Sequence, residues 1–89
     1  MEIKTNLRSL RYRHHITLAQ LSACAGISGQ YISRAELGEI AATARLEQQM
    51  SSALEAIISA RREELRTLEE DYLTCKGCLL RKEVYPNEQ

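Results

Sequence analysis

An all-α fold is predicted for this chain, on three observations. Hydroxyl residues stand where helices can start, at Thr17 and Ser28; a glycine stands where a helix can end, at Gly26; and no glycine or proline interrupts Glu39 to Lys76. The 89 residues include four tyrosines, no Trp, no Phe and one proline. That supply of large side chains suits one small core of four to five helices and leaves no room for an elaborate active site.

The elements follow in order. A first helix is expected from about Asn6 to His14, with Leu7 and Leu10 inward and Arg8 and Arg13 in water. Thr17 then caps a second helix, and Gln20, three residues on, completes a capping box. Leu18, Leu21 and Ala25 recur at helical spacing before Gly26 supplies a left-handed stop. Ile27 tucks in, and Ser28 recaps a third helix from Gly29 to about Leu37. Ile32 and Ala35 face inward there, while Gln30, Tyr31, Ser33 and Arg34 point outward. From about Thr43 the chain is rich in Ala, Leu, Glu, Gln and Arg, which predicts one long helix. At 1.5 Å per residue, about 33 residues would reach roughly 50 Å, further than this small domain can cover.

Two short helices joined by a glycine turn, each with its own cap, form a helix-turn-helix. Residues 7 to 54 resemble the lambda-repressor/Cro-like (Xre) helix-turn-helix family, whose motif closes on Ser-Arg-x-Glu-x-Gly; here that closing segment is Ser33-Arg34-Ala35-Glu36-Leu37-Gly38. The resemblance implies a sequence-specific DNA-binding transcriptional regulator, repressor-like, with the second helix of the motif in the major groove. It also implies that Arg11, late in the first helix, pairs with Glu36 as a structural ion pair. Two departures from the family pattern stand out. Leu18 occupies the position of a phosphate-holding glutamine, and Glu39-Ile40-Ala41-Ala42 replaces a basic, proline-containing stretch.

Gln30 is the expected base reader, because its amide matches the paired donor and acceptor of adenine. Arg34 can bridge the two acceptors of guanine or hold a phosphate. Gly29 and Ser33 lie on the same approach, and Tyr31 divides between a DNA contact and packing on the helix flank. Thr17 and Ser28 are caps first and phosphate contacts second.

Net charge is zero, but it is unevenly distributed. Up to Arg45, six cations oppose three carboxylates, a net of +3; beyond it, six oppose nine, a net of −3. A basic module joined to an acidic tail suits a surface that meets phosphate.

The tail carries its own pattern. Ile58, Leu65, Tyr72 and Leu79 form one seven-residue series, and Leu54, Leu68 and Cys75 form its partner, with Arg61 interrupting the seam. Leu46, Met50, Ala53 and Ile57 form a separate stripe that can close the module's core. The expected organisation is a DNA-binding domain at 1–57, a dimerisation extension at 58–82 and a flexible tail at 83–89, with Val84 and Pro86 near the end. A homodimer through a coiled coil is the expected assembly. The alternative is a helix broken near Ser51-Ser52 and folded back on itself.

No nucleophile stands beside a base and no carboxylate pair shares a plausible pocket, so no enzymatic activity is expected. No apolar run approaches a membrane span, and the N-terminal residues lack a signal peptide's apolar segment; a cytoplasmic protein is expected. Three cysteines, an odd number, argue against a secreted disulfide framework, and Cys24 reads as a small apolar residue. Cys75-Lys76-Gly77-Cys78 has the spacing of half a zinc site or a redox dithiol, but the chain has no second pair and His14 and His15 are far off in sequence. Cys75 therefore reads as a seam position and Gly77 as the end or bend of the long helix; no metal and no cofactor is expected. The competing function is a protein-interaction adaptor or antitoxin-like module, binding a protein partner through the acidic C-terminal helix.

Overall fold

The computed structural model describes residues 5–81. Four helices make up the regular structure: α1 (Asn6–Arg13), α2 (Leu18–Ala25), α3 (Gly29–Glu36) and α4 (Ala44–Cys75), with no strand among the described residues.

All four helices begin on a hydroxyl. The side-chain oxygens of Thr5, Thr17, Ser28 and Thr43 accept from the amides of Arg8, Gln20, Tyr31 and Leu46. Each such cap contributes about 1 kcal/mol by satisfying an amide that no helical carbonyl can reach. At Thr17 the box is closed: Thr17 N donates to Gln20 Oε1 at 2.9 Å, and Gln20 N donates to Thr17 Oγ1 at 3.0 Å. α2 ends on Gly26 at φ +70°, after which Ser22 Oγ donates to the Ile27 carbonyl at 2.6 Å and pins the turn into α3.

The core is the meeting of these helices with the first half of α4. Ile16, Leu21, Ile32, Leu46, Met50, Ala53 and Ile57 are buried, and Leu7, Leu18, Ala25, Ile27, Ala35 and Leu54 pack against them. Leu21 and Ile32 are wholly enclosed, each burial contributing about 1.5–3 kcal/mol. α2 packs against both α3 and α4. On α4 the four buried positions, 46, 50, 53 and 57, form a single helical stripe.

Beyond Ile57 the helix leaves the core. Arg61 is its last half-buried residue, and every residue from Arg62 to Cys75 is exposed. The molecule measures 56 × 29 × 23 Å; at 1.5 Å per residue, the 32 residues of α4 span about 48 Å. No helix of the described residues is long and apolar enough to cross a membrane.

The long helix expected from about Thr43 is present: α4 runs unbroken through Ser51 and Ser52, rather than breaking there as in the alternative, with Ala53 and Ile57 beyond them held in the core. Other expectations are corrected. Leu10 does not point inward: it lies exposed on the rim of a groove shared with His14, Ile16, Leu54, Ile57, Ile58 and Arg61. Arg8 is not in water but half-buried beside Glu36. Cys24 is exposed. Leu54 is drawn into the module's core, and Leu79 lies in a turn after the helix ends at Cys75, so neither belongs to an exposed helical seam. Ile58, Leu65, Leu68, Tyr72 and Cys75 remain exposed on α4. The expected tail at 83–89, with Val84 and Pro86, lies outside the described residues.

A Cβ at Gly26 would meet nothing within 4 Å, so the cost of Gly26→Ala is backbone strain alone. A loss of about 1 kcal/mol is expected, read as a lower urea midpoint with an unchanged m-value.

Candidate nucleic-acid interface

The position of α3 is set from its C-terminal end. Arg11, on the last turn of α1, donates from Nε to Glu36 Oε2 at 2.7 Å and from Nη2 to Glu36 Oε1 at 2.9 Å. Its remaining nitrogen, Nη1, donates to the Ile16 carbonyl at 3.2 Å. Arg11 is 7% exposed and Glu36 1% exposed. The guanidinium thus ties the end of α1, the connector into α2 and the end of α3 to one point. Its hydrogen bonds to the Glu36 carboxylate raise the Arg11 pKa above its ordinary value, partly opposed by burial, so the guanidinium stays charged.

Two neighbours complete this site. Arg8 Nη1 approaches Glu36 Oε1 at 3.9 Å, placing a second cation on the buried carboxylate. The Tyr12 ring lies 5.1 Å from the Arg8 guanidinium carbon and 4.8 Å from that of Arg11, within cation–π range. No buried side-chain nitrogen or oxygen is left without a hydrogen bond among the described residues. Helix periodicity alone puts Arg8 in solvent; Arg8 and Arg11, three residues apart on one helix face, are the signal for its place beside Glu36.

With its C-terminal end fixed and its N-terminus capped by Ser28, α3 presents its other side outward. Gln30, Ser33 and Arg34 stand three and four residues apart on one face; Gln30 and Arg34 are exposed and Ser33 is half-buried. Gly29 is half-buried, and a Cβ there would sit 3.8 Å from that of Leu18, an ordinary contact. Tyr31 is exposed on the flank, where it borders a hollow with Ser28, Thr43, Arg45 and Gln49. This hollow joins the starts of α3 and α4. Thr43 marks the start of the long helix in the sequence, but Arg45 and Gln49 are not singled out there; the available signal is a cation two residues after that helix start.

Thr17 stands at the start of α2, next to Leu18, whose Cβ lies 3.8 Å from where a Cβ at Gly29 would be. The Thr17 and Ser28 oxygens accept the capping amides, while each hydroxyl keeps its proton to donate elsewhere. Arg34 Nε lies 3.5 Å from Glu39 Oε1, with both side chains more than half exposed. A pair so open to solvent contributes little to stability, but it places a carboxylate beside a candidate contact.

Arg61 holds the other end of the module. Its Nη1 donates to the His14 carbonyl at 2.6 Å and its Nη2 to the His15 carbonyl at 3.1 Å. It therefore caps the end of α1 from α4, where His15 takes the left-handed φ of 57°. The sequence marked Arg61 only as a flaw in the seam; this contact explains why a cation stands there.

No protein-family model, no curated protein and no solved structure matches the chain.

Removing one member of a buried pair strands the other charge. Arg11→Ala is therefore expected to lower stability by about 3–5 kcal/mol, seen in thermal and urea melts. A variant that melts like the parent would refute this structural role.

Proposed function

We propose that the chain is a sequence-specific, repressor-like DNA-binding transcriptional regulator, acting as a homodimer with α3 in the major groove. The observation that carries this reading is the outward face of α3, with Gln30, Ser33 and Arg34 on a helix fixed at both ends. A rigid helix of this width fits the major groove, and an amide and a guanidinium one turn apart can read adenine and guanine edges. Gly29 offers its backbone at the helix start, and Tyr31 lies at the edge of the contact. Thr17 and Ser28 supply hydroxyl donors for phosphates. Arg45, at the start of α4, adds a backbone anchor on the side where the chain lacks a basic loop.

Dimerisation is assigned to the exposed stripe of α4, Ile58, Leu65, Leu68, Tyr72 and Cys75. With few phosphate anchors per copy, two half-sites must share the affinity. The acidic flanks of that same stem favour a second reading, a protein-interaction module whose partner binds α4. Binding of genomic fragments at two salt concentrations separates the two: a true operator complex is both sequence-selective and salt-sensitive. Absence of selective binding at low salt would refute the DNA reading.

Gln30→Ala is expected to cost about 1–3 kcal/mol of operator binding and to relax preference at one base pair. Glu39→Gln is expected to tighten binding, because it releases Arg34 and removes a carboxylate facing phosphate; weaker binding in a gel-shift assay would contradict that placement. Leu65→Glu combined with Leu68→Glu, both outside the core, is expected to leave the melting curve of the module intact, yield a monomer by sedimentation and weaken operator binding at least tenfold.

A further inference from the structure

We infer that Cys75 and Cys78 of two copies together bind one zinc ion at the far end of α4, clamping the stems parallel. This inference rests on the homodimer proposed above. Lys76, just past the helix, has φ −59° and ψ 129°; Gly77 has φ +95°; and Cys78 N donates to the Cys75 carbonyl at 2.9 Å. These values define a type II turn, with glycine at the one position that requires positive φ. The turn brings the α-carbons of the two cysteines within about 7 Å. Both cysteines are free, Cys75 exposed and Cys78 half-buried.

One copy is half a site. No group of three or more potential ligands occurs among the described residues of a single chain, and a closed zinc site takes four ligands in a tetrahedron. The second half is supplied by the stripe on α4. Leu65, Leu68, Tyr72 and Cys75 follow one another at intervals of three and four, so Cys75 is the last step of the exposed seam and the last residue of the helix. Two parallel stems that pair along this seam bring both turns to the same axis. Antiparallel stems would hold them a helix-length apart.

The electrostatics fit. Four thiolates around zinc carry a net charge of −2, and Lys76 of each copy stands inside the turn to offset it. Parallel stems set Glu64 of one copy against Glu69 of the other, which repels, and Asp71 against Lys76, which attracts. Side-chain charge therefore leaves the orientation open, and the metal decides it. The exposed seam is short, and a clamp at its free end holds what so few apolar layers cannot. Each thiol releases its proton to solvent as it binds, so zinc occupancy falls as pH is lowered.

The test uses the full chain, reduced and titrated with zinc chloride, with bound metal and sedimentation measured together. The expected result is one zinc per two chains, a dimer that weakens at least tenfold in a chelator, and loss of both effects in Cys75→Ser and in Cys78→Ser. Cys24→Ser should keep both. Cobalt(II) in place of zinc should give the visible bands of tetrahedral thiolate coordination. A dimer that forms equally well without bound zinc overturns the site and leaves the dimer standing. A monomer that binds no zinc overturns both. One zinc per chain overturns the shared, two-copy site.

Discussion

One guanidinium holds the module together. Arg11 reaches Glu36 with two nitrogens and the Ile16 carbonyl with a third, so the end of α1, the connector that follows it and the far end of α3 converge on one buried charge. An apolar replacement could fill this volume as well, since a buried ion pair repays little more than its own desolvation. What it adds is direction: the fork of an arginine accepts a carboxylate in few poses. The outward face of α3 inherits that restriction, because Glu36 is the last residue of the helix that carries Gln30 and Arg34.

Much of this arrangement was legible in the sequence because it is written locally. Caps at Thr17 and Ser28, the stop at Gly26 and the uninterrupted run after Thr43 each depend on neighbours a few residues away, and each falls in the structure where its chemistry puts it. The misreadings share a different cause. Leu10, Arg8 and Leu54 were assigned by periodicity on their own helices, yet their surroundings are fixed by chain far away: the groove beside α4, the buried carboxylate of α3 and the core beneath α4. Arg61 is the clearest instance. Periodicity marks it as a fault, and only the fold brings the carbonyls of His14 and His15 to it. The candidate site divides in the same way. Its outward residues on α3 follow from helix spacing, whereas Arg45 enters only because the starts of α3 and α4 share one hollow.

α4 serves two roles with one stretch of backbone. As far as Ile57 it is a wall of the core; from Arg62 onward it is a bare stem, acidic on its flanks and apolar along one stripe. Arg66 sits between Glu63 and Glu70 on the stem, so part of the acidity is neutralised within the helix. Such exposed pairs help the helix persist in water. The apolar stripe remains the part of the stem that water does not favour.

Because the helix is unbroken from Ala44 to Cys75, the core and the stem turn together like two gears on one shaft. Each residue of an α-helix advances the side chains by about 100°, so a residue inserted between Arg61 and Leu65, beyond the last contact with the module, would rotate the stripe from Leu65 onward around the module without disturbing the core. The angular phase between the face of α3 and the stripe of α4 is thereby set by a residue count. Seven added residues would nearly restore that phase, and two would carry the stripe to the far side. The length of this segment is consequently constrained in steps, even though its side chains, Arg62, Glu63 and Glu64, stand in water.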